Sequence, residues 1–303
     1  MNLAELTKLN EEQAREYIEM IIWRDGMVCP HCGCKKAYKN KGESARNGLY
    51  DCADCKKQFT ITIGTMMQGT HIPMRKWAIA FHLLCSSKKG MSALQLQREL
   101  GLGSYHTALF MTNRIRLAMC EQPVKDMLRG EVEVDETYIG GKPRQGTGNH
   151  KRGRGTKKTP VLAIVERNGK ATASPVTNVN GRTLKNAIRE TVDRNSTIMT
   201  DEWKSYNGIG KDFKGGHEVV NHGNKEYVCG NATTNTVESY FALMKRGIMG
   251  VYHSVSKKHL NRYCDEFSFR WNRRNITDGE RTVEAIRNGK GKRLTYKPLV
   301  QGV

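Results

Sequence analysis

The chain has 303 residues, of which 38% are hydrophobic and 26% are charged, and this composition is typical of a folded globular protein. Its 50 lysine and arginine residues exceed its 30 acidic residues, and the resulting formal net charge of +20 indicates a polyanionic partner such as nucleic acid. The longest apolar stretch, Trp77–Cys85, is too short to span a bilayer, and the N-terminus lacks a signal-peptide pattern. We therefore expect a cytoplasmic protein with no membrane partner, in which nine cysteines need a role other than disulfides.

The N-terminal region is predicted to contain a helix within residues 1–28, followed by a zinc ribbon over residues 29–70. Asn10 and the acidic residues after it are typical of a helix start, and the helix should run to about Trp23. Two Cys-x-x-Cys pairs then follow, separated by 19 residues, which is a spacing typical of a four-thiolate zinc site. The predicted ligands of this structural zinc ion are Cys29, Cys32, Cys52 and Cys55. The alternative ligands beside the first pair are His31 and Cys34, and we favour the two complete pairs over them.

Residues 71–125 are predicted to form a helical DNA-binding region. Apolar residues recur at helical spacing from Met74 to Cys85. Ser92 should then cap a helix ending at Leu100, and Ser104 should cap a helix ending near Met119. Because a tight glycine turn joins these two helices, we expect a helix-turn-helix. Two basic residues of its second helix are candidate DNA contacts, and a structural role is an equal alternative for them: Arg114 and Arg116.

From about Gly130 the pattern becomes that of an α/β domain, which should extend over residues 130–275. The Asn168-Gly169 pair predicts a two-residue hairpin turn. Alternation and helical periodicity predict elements in the order strand, strand, strand, helix, strand, strand, helix, at about 131–139, 161–166, 170–176, 182–193, 197–201, 217–221 and 235–246. A further helix should start at Ser256. Residues 276–303 are expected to form a basic, poorly packed tail.

Three acids of this domain occupy positions that suit phosphoryl transfer. Asp135 and Asp201 lie at predicted strand ends, and Glu238 lies on a predicted helix with Lys245 about two turns after it. Hard ions such as magnesium take oxygen ligands, and two such ions about 4 Å apart activate a water or a 3′-OH and stabilise the leaving oxygen of a phosphodiester. We predict that the three carboxylates hold two divalent ions. The neighbouring alternatives are Glu133, Glu136 and Glu202.

A glycine-rich basic segment, Lys142–Lys158, follows the first strand. It contains seven lysine or arginine residues and His150 but no acid. A solvated loop is one interpretation. In a chain of this charge we favour a mobile arm that binds DNA phosphates near the acids. Its predicted DNA contacts are Lys142, Arg144, Lys151, Arg152 and Arg154. After the second acid, Trp203 is expected to pack in the core, with stacking on a flipped base as the alternative.

Several segments together resemble a known family. They are NEEQAREYIEMIIWRDGMVCPHCG, GMSALQLQRELGLGSYHTALFMTNRIRLAM, EVEVDETYIGGK and TTNTVESYFALMKRGIMGVYHSVSKKHLNRYCDEFSFRWNRR. These segments are similar to those of the ISXO-like insertion-sequence transposases, which are bacterial and archaeal DDE-type enzymes with an N-terminal zinc ribbon. The resemblance covers roughly residues 10–275, and its last segment is the most specific.

The resemblance implies a ribonuclease H-like catalytic domain that cuts the ends of a mobile element and joins them to target DNA with magnesium or manganese. It implies a homo-oligomer on double-stranded DNA and a nucleoid-associated location. The first two family acids fall on Asp135 and Asp201. In some members an asparagine takes the third position, so Asn235 is an alternative to Glu238, although the spacing favours the glutamate. Lys245 would contact the DNA end.

Two other functions remain as alternatives. A non-enzymatic DNA-binding regulator would use the zinc ribbon and the helix-turn-helix and leave the acids idle. A stand-alone metal-dependent nuclease would cut DNA without joining strands. Metal-dependent strand transfer on a labelled DNA end distinguishes all three.

Overall fold

A computed structural model describes residues 1–42, 45–121, 126–141, 158–220 and 233–295. The chain divides into two compact units. The first, here the N-terminal unit, comprises Met1–Cys120 together with Asn275–Val303, and the second, here the sheet unit, comprises Glu121–Arg274. Within the described ranges, none of the helices combines the length and apolarity needed to cross a membrane.

The N-terminal unit begins with two short helices, α1 (Leu3–Lys8) and α2 (Glu11–Ile22). The predicted start at Asn10 is confirmed, because its side chain accepts the Gln13 N–H while the Gln13 side chain bonds the Asn10 N–H in return. An equivalent box begins α1 at Asn2, and this first helix was absent from the prediction.

A small antiparallel sheet follows in the order β1 (Ala37–Lys39), β2 (Tyr50–Cys52) and β3 (Gln58–Phe59). Its apolar contents are few, and three rings supply most of them. Trp23 stands edge-on to Tyr50 at 5.2 Å, and Tyr50 stacks on Phe59 at 5.8 Å between ring centroids. So small a core needs a further stabilising element such as a metal ion.

Three helices come next: α3 (Met74–Ser86), α4 (Ala93–Leu100) and α5 (Tyr105–Met119). The predicted caps are confirmed, because Ser92 accepts the Gln95 N–H and Ser104 accepts the Thr107 N–H. Gly101 ends α4 with φ of 56°, in the left-handed region where glycine carries no Cβ penalty.

The expectation of a poorly packed tail is wrong for α9 (Asp278–Asn288), which belongs to the N-terminal unit. Thr277 and Glu280 form a capping box at its start. Thr282 and Ile286 are completely buried, and the Thr282 hydroxyl lies 3.3 Å from His82 Nδ1 on α3. The chain therefore leaves this unit after α5 and returns to it after the sheet unit.

The sheet unit has five strands: β4 (Glu131–Ile139), β5 (Thr159–Glu166), β6 (Ala171–Pro175), β7 (Thr197–Asp201) and β8 (His217–Val220). Their order in space is β6-β5-β4-β7-β8. The first three strands are antiparallel neighbours, whereas β7 is parallel to β4 and β8 is parallel to β7. The predicted order of strands and helices is confirmed, and Asn168 turns the β5–β6 hairpin with φ of 61°.

Helices cover both faces of this sheet. On one face, α7 (Asn235–Gly247) and α8 (Leu260–Asn272) bury residues including Val237, Tyr240 and Phe267. On the other face, α6 (Gly181–Thr191) buries Leu184 and Ile188. Because side chains alternate along a strand, every second residue of β4 points toward the α7 face. This alternation determines which acidic side chains lie on the α7 face of the sheet, where they can come close to one another.

Candidate functional site

The two predicted aspartates lie on neighbouring parallel strands and on one face of the sheet. Asp201 is the last residue of β7, as predicted, whereas Asp135 lies in the middle of β4 and not at a strand end. The parallel register pairs Glu131 with Thr197 and Glu133 with Met199. Continuing that register by two residues sets Asp135 beside Asp201, and adjacent strands are about 4.8 Å apart. The antiparallel and parallel parts of the sheet meet at β4, so this strand is central.

The third acid reaches this face from a helix. Glu238 is in the first turn of α7, where its Oε1 accepts a hydrogen bond from Thr234 Oγ1 at 3.2 Å. Val237, its neighbour, is completely buried in the core between α7 and the sheet. The start of α7 is therefore fixed against the sheet, and Glu238 itself remains exposed to solvent.

The pKa of Asp135 shows that these acids act on one another. Burial raises the pKa of Asp135 from 3.8 to about 7, and the negative charges of Glu136, Asp201 and Glu238 raise it as well. A hydrogen bond from the Glu136 N–H to Asp135 Oδ1, at 2.7 Å, opposes this rise. Desolvation and like charges are the two causes that disfavour a carboxylate. A bound cation would remove the second cause.

The three carboxylates suit hard divalent ions by their chemistry. Among the described residues, the cysteine group described below is the one set of three or more possible ligands that is close enough to hold a single metal ion. A pair of ions about 4 Å apart spreads its ligands over both centres, so a wider arrangement of acids is compatible with it. Oxygen ligands of this kind bind magnesium and manganese.

The three neighbouring acids have other surroundings. Glu133 is completely buried and bonded to the start of α7. Glu136 accepts a 2.7 Å hydrogen bond from the hydroxyl of Tyr206, which is buried in the core on the α6 side of the sheet. Glu202 is exposed one residue beyond β7. These contacts favour Asp135 over Glu133 and Glu136 as the site acid of β4.

The other predicted residues of α7 are exposed along the same helix. Asn235 begins the helix, and its N–H donates to Thr233 Oγ1 at 3.1 Å, while its side chain is exposed. Lys245 is also exposed, with its Nζ 5.7 Å from the centre of the Phe241 ring. Spacings of three and seven residues from Glu238 set both residues on the helix face that carries Glu238.

Four cysteine sulfurs converge at the second site. Cys29, Cys32, Cys52 and Cys55 have sulfurs that all lie within 4.8 Å of one another. Cys29 Sγ is 3.8 Å from Cys55 Sγ, and Cys32 Sγ is 3.5 Å from Cys52 Sγ. Two sulfurs each 2.3 Å from a tetrahedral zinc ion would be about 3.8 Å apart, so the group has the dimensions of a zinc site.

Electrostatics in this group also favour a cation. Burial raises the pKa of Cys52, but N–H donors of Asp54 and Cys55 and the adjoining thiols lower it to about 6. The Cys34 N–H lowers the pKa of Cys32, but burial and the other three thiols raise it to about 12. The sulfurs therefore resist becoming thiolates together unless a cation neutralises them.

The alternative zinc ligands lie outside the group. His31 Nε2 is 3.3 Å from the Gln58 carbonyl oxygen, and Cys34 Sγ accepts the Lys36 N–H at 3.3 Å. This geometry favours the two Cys-x-x-Cys pairs over His31 and Cys34.

Comparisons with known proteins match both parts of the chain. Residues 127–272 match the family described as the ISXO2-like transposase domain, and residues 9–58 match the transposase zinc-ribbon domain. The chain is therefore a transposase that contains an ISXO2-like transposase domain and a transposase zinc ribbon. It is also 28% identical, over 276 residues, to the "Uncharacterized protein in transposable element ISH50" of Halobacterium salinarum, which covers 87% of this chain and 92% of that relative.

Two of the DNA contacts predicted for this transposase need correction. Arg114 and Arg116 are buried, with 7% and 1% of their surface exposed. The guanidinium of Arg114 donates to the Gln68 carbonyl at 3.0 Å and stands over the Phe110 ring at 4.2 Å. Buried side chains such as these stabilise α5 and expose little surface to a DNA phosphate. A structural role, the alternative interpretation, therefore accounts for both residues.

The remaining basic contacts predicted for the transposase, Lys142, Arg144, Lys151, Arg152 and Arg154, lie outside the described residues. Trp203 packs against the core on the α6 side of the sheet, as expected. The prediction missed two residues that support the site, Arg167 and Tyr206. Tyr206 holds Glu136 from a short helical turn after β7, and no periodicity or spacing in the sequence connects residues 70 positions apart.

Proposed function

We propose that this transposase cuts the ends of its insertion sequence and joins them to target DNA by two-metal-ion phosphoryl transfer. Asp135, Asp201 and Glu238 would hold the two ions, magnesium or manganese. One observation carries the proposal: Asp135 is a half-buried acid whose pKa is raised to about 7 next to other acids, in a chain of net charge +20. A chain this basic that gathers acids on one face of a sheet is suited to bringing metal and phosphate together.

The strand order supports a ribonuclease H-like domain as the finer description of the sheet unit. An antiparallel set of three strands is followed by two parallel ones, and the first strand is central. The acids come from that central strand, from the end of its parallel neighbour and from a helix on the same face. Rigid elements of this kind position a site better than loops do.

Each side chain then has a defined role. The ions, when bound, supply the activation of a water or 3′-OH and the stabilisation of the leaving oxygen. The carboxylates hold the ions, and the protonated form of Asp135 must lose its proton to do so. Lys245 offers a positive charge to a phosphate of the DNA end two turns from Glu238. Asn235 can orient a water or contact the phosphate through its amide.

Binding of DNA is assigned to several basic and structural parts. The proposed DNA contacts are the basic segment Lys142–Lys158, the zinc ribbon and a helix-turn-helix made of α4 and α5. The relative from ISH50 is described as a protein in a transposable element, which supports an element end as the substrate. Because two ends must be joined to one target, we propose that the protein acts as a homo-oligomer on DNA.

The experiment uses the purified protein and a labelled duplex taken from the DNA that flanks the coding region. Asp135→Asn and Asp201→Asn should each abolish cleavage and strand transfer with magnesium, while end binding stays near that of the wild type. Glu202→Gln is the matched control beside Asp201 and should keep full activity. Cleavage by either aspartate variant would refute the choice of acids.

The alternatives predict other products. A nuclease would cut the labelled end without forming a joined product, and a regulator would bind the end without cutting it. A joined product that forms with the wild type, and not with Asp135→Asn or Asp201→Asn, supports the proposal.

A further inference from the structure

Glu133 is a buried carboxylate directly next to the proposed metal site. It lies two residues before Asp135, on the same face of β4, and its side chain is completely buried. Its Oε2 accepts the backbone N–H groups of Thr236 at 2.7 Å and of Val237 at 2.9 Å, and its Oε1 accepts the Thr236 hydroxyl at 2.9 Å. Arg167 Nε donates to the same Oε1 at 3.3 Å. One carboxylate therefore receives four donors from two other elements.

The start of α7 depends on these bonds. The first N–H groups of a helix have no partner within the helix, and the N-cap residue Thr234 makes no side-chain cap. The Asn235 N–H is taken by Thr233, and the next two N–H groups are those taken by Glu133. The Glu238 N–H then makes a bond within the helix, to the Thr234 carbonyl at 3.0 Å.

A negative charge at this end of a helix is also favoured by the helix dipole. Glu133 thus acts as a cap supplied from a strand more than 100 residues earlier in the chain. The capped turn is the same turn that carries Glu238. Two residues along a strand span about 6.8 Å, and two along a helix about 3 Å, so the cap lies about 6.8 Å from Asp135 along β4 and within one helical turn of Glu238 along α7.

We infer that Glu133 is a positioning residue that fixes the first turn of α7 to β4 and so holds Glu238 beside Asp135. The inference rests on the proposed function, because the position of Glu238 matters to the reaction when Glu238 binds an ion. Glu133 itself is committed to Thr236, Val237 and Arg167 and is not an ion ligand. Residues that orient metal ligands in this way typically change metal affinity 10- to 100-fold when replaced.

The first test is amide exchange in protein that keeps its zinc but has no magnesium or manganese. In the wild type the Thr236 and Val237 amides should exchange slowly, although amides in a first helical turn usually exchange fast. Glu133→Gln keeps the size but must point its NH₂ group either at the two amide donors or at Arg167 and the Thr236 hydroxyl, and it removes the negative charge at the helix start, so both amides should exchange at least about tenfold faster. Glu131→Gln is the matched control, since Glu131 bonds Arg167 and, among the described hydrogen bonds, not α7. Equal exchange in all three proteins would overturn the inference.

The second test is Mn²⁺ affinity, measured from the electron paramagnetic resonance signal of free Mn²⁺. Glu133→Gln should weaken binding about 10- to 100-fold, and Glu131→Gln should not. If Glu133 acts through Glu238, the double variant of Glu133→Gln with Glu238→Gln should bind no more weakly than Glu238→Gln alone. Additive losses, or a wild-type affinity in folded Glu133→Gln, would overturn the inference.

The failure of the proposed function has a different signature. If Asp135→Asn binds Mn²⁺ as the wild type does, the metal site has been assigned to the wrong acid, and the amide exchange still tests the cap. If Glu133→Gln does not fold, Thr236→Val replaces it, because that change removes only the hydroxyl bond. Thr236→Val should speed the exchange of the two amides and weaken Mn²⁺ binding, each by a smaller factor than Glu133→Gln. An unchanged exchange rate together with an unchanged Mn²⁺ affinity would refute the role of Glu133.

Discussion

The raised pKa of Asp135 predicts an unusual dependence of stability on pH. Its pKa in the folded protein is about 7, against 3.8 as the ordinary value. An acid whose pKa is raised by folding binds its proton more tightly in the folded state. Its contribution to stability is therefore fully present below pH 4 and is lost as the pH rises through 7. The full shift corresponds to about 4 kcal/mol, because one pKa unit is about 1.4 kcal/mol.

The measurement is urea unfolding of the sheet unit at pH 5 and pH 8, in protein that retains zinc but has no added magnesium or manganese. Between these two values the wild type should lose about 3 kcal/mol more than Asp135→Asn, which has no group to titrate at this position. At pH 8 the variant should therefore be the more stable protein.

Divalent ions should reverse this difference. Magnesium binds the folded wild type and stabilises it by about 2.7 kcal/mol at a concentration 100 times its Kd, with no comparable gain for Asp135→Asn. An equal difference between wild type and variant at pH 5 and pH 8, without the ion, would refute the reasoning and show that Asp135 titrates as an ordinary acid.

The other predictions concern zinc, DNA and the third ligand. Cys52→Ala should lose its zinc by elemental analysis and should weaken DNA binding while the sheet unit stays folded; full zinc content would contradict the site. Glu238→Gln should abolish strand transfer on a pre-cut end with magnesium, with weak rescue by manganese, whereas Asn235→Ala should lose only part of it; the reverse result would make asparagine the third ligand. Neutralising three residues of the basic segment together, namely Lys151, Arg152 and Arg154, should make the slope of log DNA affinity against log salt concentration shallower. An unchanged slope would exclude this segment from DNA contact.

Local signals predicted much of the fold. Ser92 and Ser104 cap α4 and α5 where the sequence indicated, since a cap needs only a hydroxyl and an N–H three residues later. The Cys-x-x-Cys pairs predicted the sulfur group for the same reason, because each pair is a local turn. Alternation along residues 131–139 predicted β4 and the side of the strand on which Asp135 lies.

Features that depend on distant partners could not be predicted in this way. The α9 helix buries Thr282 and Ile286, and Thr282 lies beside His82, which is 200 residues earlier in the chain, whereas the charged sequence of α9 alone indicates a solvated tail. The charge of Arg114 makes it a candidate DNA contact from the sequence, yet the Gln68 carbonyl and the Phe110 ring occupy its guanidinium. The pattern of charges in a sequence indicates the sign of a partner's charge, whereas the burial of a charged side chain depends on the tertiary fold.

Glu133 and Asp135 show how one strand carries two carboxylates of opposite effect. Glu133 meets the positive end of α7 and Arg167, so its charge is compensated inside the fold. Asp135 meets Glu136, Asp201 and Glu238, which raise its pKa, so its charge is compensated only when a cation is present. Neutralising the two residues in metal-free protein at pH 8 should therefore have opposite results. Glu133→Gln should destabilise the sheet unit by about 1–3 kcal/mol, the cost of leaving buried donors unpaired, while Asp135→Asn should stabilise it. Under the proposed function, Glu133 stabilises the strand and Asp135 is the carboxylate left for the ions.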